Sequence, residues 1–191
     1  MGNLLMDEIE TGFQKLIGRI RESETERESL KEEVLKQEVA LFERMIKLAA
    51  PLVKNIGINM LLRGKQDTKG ELYDTSFHKK KMIVLGKTDP SEYRPDNMAK
   101  KVEDQFCVLS EDGKLYEMMF SFDGFIVDSY ANPISPKDAL GRYGYDPMYM
   151  LYHALHDYLK GQEDLIASLK LVLEFLFPRP DFPTPPPPEK D

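Results

Sequence analysis

Two Asp-Gly dipeptides, at Asp112-Gly113 and Asp123-Gly124, constrain the fold of this chain more than any other feature of its sequence. Each dipeptide lies between β-prone runs, and Asp-Gly in that setting is typical of a two-residue hairpin turn. The sequence therefore predicts three consecutive antiparallel strands, a β-meander, between residues 103 and 131.

The length of the two turns sets the predicted register of the meander. Two-residue turns pair residue 109 with 116, 107 with 118, 120 with 127 and 118 with 129. One face is then almost entirely apolar, while Glu117 and Asp128 share the other face as diagonal neighbours about 7–8 Å apart at the backbone. Such a carboxylate pair can hold a metal ion or divide acid and base roles. On an exposed face the two groups only add polarity.

A covering helix would change the chemistry of this pair. Burial disfavours ionised carboxylates, so we expect one of Glu117 and Asp128 to be protonated, paired with a lysine or bound to a cation if a helix lies over them.

The first 50 residues predict a long helical region. Apolar side chains recur at helical spacing over residues 4–20 and 30–49, whereas the charged run at residues 21–29 has none. We favour one continuous helix because the run contains no Gly or Pro and offers i,i+3 ion pairs; two helices meeting there is the alternative. A coiled coil is not predicted, since the charged run leaves a hole in the apolar seam. Pro51 then predicts the start of a further helix that ends near Leu62.

The other expected elements flank the meander. Two strands, residues 71–77 and 81–87, are predicted to be joined by a turn at His78-Lys79-Lys80. Ser135-Pro136 predicts a helix start, and further helices are expected at residues 146–161 and 162–177. The last of these is apolar almost all round, so the sheet or another subunit must cover it.

These elements define an α+β fold. We expect a long N-terminal helical region, an antiparallel sheet of about five strands with a central β-meander, and C-terminal helices packed on the sheet. The predicted organisation is an N-terminal helical extension at residues 1–50, an α+β globular domain at residues 51–177, and a disordered proline-rich tail at residues 178–191. That tail contains seven of the thirteen prolines.

Charge is distributed unevenly along a chain whose net charge is −7. Residues 54–101 hold 11 basic and 6 acidic side chains, whereas residues 102–191 hold 7 and 16. Overall acidity argues against nucleic-acid binding, which depends on neutralising phosphates. A local site for an anion or an acidic partner stays open. Its candidate residues are His78, Lys79, Lys80, Lys81, Lys87, Arg94, Lys100 and Lys101, although lysines along a sheet edge also protect it from aggregation.

Other reactive residues predict no chemistry. His153 and His156 lie three apart on a predicted helix, but no further ligand completes a zinc pattern. Cys107 is expected on a buried strand face, where a thiol is inert. We therefore predict no catalytic residues, no metal and no cofactor.

The leading functional hypothesis is a non-enzymatic protein-interaction module or accessory subunit of a larger assembly. The N-terminal helical region and the last helix would bind a protein partner or a second copy. The alternative is a sensor or binding domain for an anionic small molecule that uses the basic middle segment. A single cysteine and the lack of an 18-residue uncharged run predict a cytoplasmic protein without a membrane span.

Overall fold

The computed structural model describes residues 2–177, with side chains described from residue 7 onward, and confirms the predicted α+β class. The predicted proline-rich tail at residues 178–191 lies outside the described residues. In chain order the elements are α1 (Gly2–Ile56), β1 (Ile58–Gln66), β2 (Leu72–Thr88), β3 (Tyr93–Arg94), β4 (Asn97–Lys101), β5 (Asp104–Ser110), β6 (Leu115–Phe122), β7 (Ile126–Ile134), α2 (Pro136–Tyr143) and α3 (Asp146–Leu176).

Helix α1 continues without a break through the charged run, as predicted, and the run contains a Glu28–Lys31 ion pair of 3.0 Å. The separate helix predicted from Pro51 to Leu62 is wrong. Pro51 lies inside α1, and the helix gives way to β1 at Gly57. A Cβ atom at Gly57 would lie 2.7 Å from the carbonyl oxygen of Val53 and 3.0 Å from the backbone of Met82. The junction therefore depends on a residue without a side chain.

Five strands form a closed antiparallel barrel in the order β1-β2-β5-β6-β7, and β3 and β4 form a separate two-stranded sheet. The predicted number of strands is confirmed, but closure through β1 pairing with β7 was not predicted. A barrel with an odd number of straight strands cannot close with every neighbouring pair antiparallel, because the strand direction would have to alternate all the way round. At least one strand must therefore change direction across the barrel.

Strand β2 meets this requirement. It is 17 residues long and pairs with β1 along its first part and with β5 along its last part. Its pairing with β1 has three register shifts, and such bulges bend a strand. The turn predicted at His78-Lys79-Lys80 is therefore wrong, because these residues lie within one continuous strand.

The first hairpin turn has three residues rather than two. The amide of Gly113 donates to the Ser110 carbonyl (2.9 Å), the amide of Ser110 donates to the Lys114 carbonyl (3.0 Å), and Gly113 has φ of 75°. This is the three-residue loop with a left-handed glycine. Leu109 therefore pairs with Leu115 and not with Tyr116, so the predicted register is wrong by one residue.

The second turn has two residues, but they are Gly124 and Phe125. The amide of Asp123 donates to the Ile126 carbonyl (3.2 Å), and the Asp123 carboxylate accepts from the amide of Ile126 (2.7 Å). Phe122 consequently pairs with Val127, which shifts the predicted register by two residues. An even shift preserves which side chains of β6 and β7 share a face.

The two faces of the barrel wall have different neighbours. Met60, Met82, Val108 and Met118 form a buried cluster on one face. The opposite face carries Cys107 and, directly across from it, Glu117, which were predicted on different faces. Helices α1 and α2 contact this side of β2, and α1 also contacts β5.

The C-terminal helices agree only in part with the expectation. Ser135 caps α2 as predicted, since its hydroxyl accepts from the Asp138 amide at 3.1 Å, and Gly144 ends the helix. The predicted break at Gly161 is wrong because α3 continues through it; one glycine costs a helix only about 1 kcal/mol.

The chain divides into two units with a boundary between Leu151 and Tyr152, within α3. Helix α1 belongs with the barrel in the first unit. In the second unit, every residue from 162 to 177 is exposed.

Candidate functional site

The candidate basic residues do not converge on one site. Lys80 pairs with Asp112 at 2.6 Å near the first hairpin turn, and Lys87 pairs with Asp104 at 2.6 Å beside β5. Both lysines are more than half exposed, so these pairs contribute little stability. Each nevertheless has a carboxylate of this chain beside it, which reduces its attraction for an external anion.

Three further lysines also occupy separate places. The Lys81 ammonium donates to the Lys54 carbonyl at 2.9 Å, in the last turn of α1, where a cation complements the helix dipole. Lys79 and Lys101 form no ion pair with any residue that the structure describes. Two isolated cations do not make an anion site.

His78 is a partly buried structural group. One of its ring nitrogens, Nε2, lies 2.9 Å from the Ser129 hydroxyl, which itself donates to the Leu61 carbonyl at 2.5 Å. Because the hydroxyl proton is used in that second bond, Nε2 must donate to Ser129. Burial lowers the pKa of His78 and favours the neutral ring. His78 therefore fastens β2 to β7 rather than carrying positive charge to an anion.

Arg94 and Lys100 both neutralise Asp128. The Arg94 guanidinium donates to Asp128 at 2.7 Å and to both oxygens of Asp96, at 2.9 and 2.6 Å, and Lys100 also pairs with Asp128. The Arg94 side chain is only 6% exposed. The adjacent guanidinium lowers the pKa of Asp96. These contacts fix the β3–β4 sheet over the barrel wall, so Arg94 is not available to a ligand.

Glu117 is the most enclosed charged residue among those that the structure describes, with none of its surface exposed. Arg142 of α2 donates to both of its oxygens, at 2.8 and 2.6 Å. Gln105 (3.0 Å), Tyr143 (3.2 Å) and Asn132 (3.4 Å) are the further donors. The carboxylate is therefore fully hydrogen-bonded, and it fastens α2 to the barrel wall.

The neighbours of Glu117 are held in their protonated forms. Burial, followed by the negative charge of Glu117, raises the pKa of the Cys107 thiol to about 12. The same two causes raise the pKa of the Tyr143 hydroxyl. A thiol that stays protonated at neutral pH is not a nucleophile. This cluster is consistent with a structural role.

The predicted carboxylate pair does not exist. Glu117 lies opposite Asn132 and Asp128 lies opposite Ser121, so the two carboxylates share a face, but three residue pairs lie between them. The predicted diagonal contact failed because the second hairpin turn was placed one residue too early. Each carboxylate has an arginine of its own, as expected for covered charges.

No group of three or more metal-ligating side chains occurs among residues 2–177. Within the same residues, no helix is long and apolar enough to cross a lipid bilayer.

Helix α1 offers a more promising surface because it has two apolar faces. Phe42, Ile46, Ala49 and Val53 are at most 6% exposed, and this face contacts the barrel. A second set of apolar side chains runs along α1, and its members Leu41 and Leu48 lie about 120° from this face, at 100° per residue. Its members are exposed.

We call this second face the seam. Its twelve positions, from residue 9 to residue 48, alternate in spacing between four and three residues. Eight of them are large apolar residues that are between 44% and 78% exposed: Ile9, Phe13, Leu16, Ile20, Leu30, Val34, Leu41 and Leu48. The other four are Ser23, Arg27, Gln37 and Arg44. This spacing is the heptad repeat that characterises helices paired in a coiled coil.

A shallow groove of about 500 Å³ follows part of the seam. Leu30 and Val34 line its floor, and Tyr145 forms one side, where its hydroxyl donates to Glu38 of α1. The hydrogen bond with Glu38 raises the pKa of Tyr145. The groove thus combines apolar surface with a fixed aromatic rim.

Comparisons with known proteins add no functional assignment, since no family model, no curated protein and no solved structure matches this chain.

Sequence reasoning found both apolar stripes of α1 but missed the seam. It treated residues 21–29 as a hole because they contain no apolar residue. The 4-3 spacing continues through Ser23 and Arg27 without losing phase. Counting positions rather than apolar residues would have found the repeat.

Proposed function

We propose that this chain is a non-enzymatic protein-interaction module, an accessory subunit of a larger assembly, and that it binds its partner through the seam of α1. The observation that carries the proposal is the row of eight exposed apolar side chains at heptad spacing. From Ile9 to Leu48 the row is about 58 Å long, at 1.5 Å per residue. Apolar surfaces of this extent mark interaction sites.

The attachment of α1 supports the same proposal. The covered face at Phe42, Ile46, Ala49 and Val53 anchors the helix to the barrel, so the seam is presented on a rigid element. A partner that binds a preorganised helix loses less conformational entropy than one that must also order it. The barrel would then serve as the support of an interaction helix.

The alternative function, binding of an anionic small molecule by the basic middle segment, has weaker support. Lys80, Lys87, Arg94 and Lys100 already pair with carboxylates of this chain. An anion would have to displace these partners at several separate places.

Site-specific photo-cross-linking in cells tests the proposal. The full-length chain would carry p-benzoylphenylalanine at Leu30 on the seam, or at Glu32, two residues away and on the opposite side of α1, as the matched control. We expect a discrete cross-linked product from position 30 and none from position 32. Equal labelling from both positions, or no product from either, would contradict the proposal.

A further inference from the structure

The polarity of the seam is symmetric about residue 25. One apolar block occupies positions 9, 13, 16 and 20, and a second block, apolar except for Gln37, occupies positions 30, 34, 37 and 41; both are spaced 4-3-4. When the helix is laid antiparallel against its own sequence, with residue 25 opposite residue 25, Ile20 lies opposite Leu30 and Leu16 lies opposite Val34. A seam that matches its own reverse fits a two-fold axis perpendicular to the helix.

The two central polar positions obey the same symmetry. The reversal places Ser23 on Arg27, so the two polar positions at the centre meet each other, and it places Ile9 on Leu41. The one mismatch in this overlap is Phe13 opposite Gln37. An unrelated helix would need a polar interval at the same place between two apolar blocks of the same spacing.

We propose that the partner of the seam is a second copy of this chain, bound through an antiparallel pairing of the two α1 helices about a two-fold axis near Thr25. This inference rests on the proposed function, because it names the partner of the same surface. Each copy would cover the apolar block at residues 9–20 of the other with its own block at residues 30–41.

A parallel pairing of two copies is less favourable along the seam. In register, it would place Arg27 on Arg27 and Arg44 on Arg44, two like-charge contacts within a desolvated interface. The antiparallel pairing places Arg27 opposite Ser23. The antiparallel pairing also brings Glu24 of one copy near Glu24 of the other, and Glu26 near Glu26, at the two-fold axis. Arg27 of both copies supplies the opposite charge there.

The barrel leaves room for this pairing. The residues that contact it, from Phe42 to Val53, face away from the seam, and the overlap at residues 9–41 ends before the first of them. A second helix on the seam therefore approaches the side of α1 that the barrel does not occupy.

Sedimentation equilibrium of the purified full-length chain tests the choice of partner. We expect a dimer whose dissociation constant rises at least about a hundredfold when Leu16 and Leu30 are both replaced by glutamate, because four apolar side chains per dimer then lose their cover. The matched control, Glu32→Lys, should leave it unchanged, and circular dichroism would verify that each variant is folded. A wild-type chain that stays monomeric at every concentration overturns the inference.

Cross-linking tests the orientation. Differently tagged Ile20→Cys and Leu30→Cys chains, both carrying Cys107→Ser, are mixed and treated with a short bismaleimide. The antiparallel pairing predicts the mixed product that joins position 20 to position 30. Products that join each position to itself would overturn the antiparallel arrangement, and Glu32→Cys should give no product with either.

The two proposals fail separately. A chain that is monomeric when pure but gives a position-30 photoproduct with another protein in cells would overturn the second-copy inference and keep the interaction function. A chain that gives neither a dimer nor a seam-specific photoproduct would overturn both.

Discussion

The two faces of helix α1 contain similar apolar residues but have opposite environments. Phe42 and Ala49 are completely buried, while Leu41 and Leu48, each one residue earlier, are 44% and 78% exposed. Apolar character therefore does not distinguish the two faces. Their spacing and direction do, since one face meets β2 and β5 and the other meets no element of the first unit along most of its length.

The difference between the two faces supports the proposal that α1 has two separate tasks. The covered residues contribute to folding, as covered apolar groups do. The seam residues are exposed, and heptad spacing is the pattern that the proposed association with another helix would use.

The largest expected effect separates the two faces directly. Replacing Phe42 by alanine should lower the free energy of unfolding by about 3–5 kcal/mol, because it removes a fully buried aromatic ring and leaves a cavity. Replacing Leu48 by alanine should change it by no more than about 0.5 kcal/mol, as for other exposed positions. Urea denaturation at low protein concentration measures both. Equal losses would show that the chain itself covers the seam.

A second prediction concerns the buried charge beneath α2, on the side of the barrel that the helices cover. Replacing Arg142 by alanine should cost about 3 kcal/mol, since it leaves the Glu117 carboxylate buried without its cation. Glu117→Gln should cost less, about 1–2 kcal/mol, because Arg142 is half exposed and can be solvated. Thermal unfolding ranks the two variants. The reverse order would contradict the stabilising role given to the Glu117–Arg142 ion pair.

The elements that the sequence predicted correctly are those with a local cause. Ser135 and Asp138 form the predicted cap because both groups lie within one turn of backbone. The continuity of α1 through residues 21–29 follows from helix propensity and i,i+3 pairs, which also act locally. In both cases the decisive contacts lie within about four residues.

The missed features depend on contacts between distant residues. The register of the meander changed because Gly113 adopts φ of 75° at the end of a three-residue loop, a choice that Asp-Gly alone does not determine. That one-residue shift moved Glu117 from its predicted place opposite Val108 to a place opposite Cys107. Arg142 and Arg94, the partners of the two carboxylates, are 25 and 34 residues from them, and no local pattern links residues so far apart.

A third prediction compares Gly57, which follows the last residue of α1, with Gly18, which lies within the helix. Gly57→Ala should destabilise the fold by about 1–3 kcal/mol, because the added methyl group meets the backbone at the α1–β1 junction. Gly18→Ala, in the part of α1 that carries the seam, adds a methyl group with no atom within 4 Å and should stabilise the helix by up to about 1 kcal/mol. Chemical denaturation of both variants checks the opposite signs. A stabilising Gly57→Ala would mean that this end of α1 can move away from β2.

The smallest expected effect uses pH to separate folding from association. Burial lowers the pKa of His78 in the folded chain below its unfolded value of about 6.5. The unfolded chain therefore binds the proton more readily, so the stability that the neutral ring contributes is fully present above pH 6.5 and is lost as the pH falls through the folded pKa. We expect the wild-type urea midpoint to fall between pH 7 and pH 5 by more than that of His78→Gln.

Association through the seam should not depend on His78, because that residue lies on β2 of the barrel and not on the seam. Sedimentation of the wild-type chain and of His78→Gln at both pH values, under conditions where both stay folded, should give the same dissociation constant for the two chains at each pH. A constant that followed the protonation of His78 would show that the barrel and the seam are coupled, and the separation of the two faces of α1 would then be wrong.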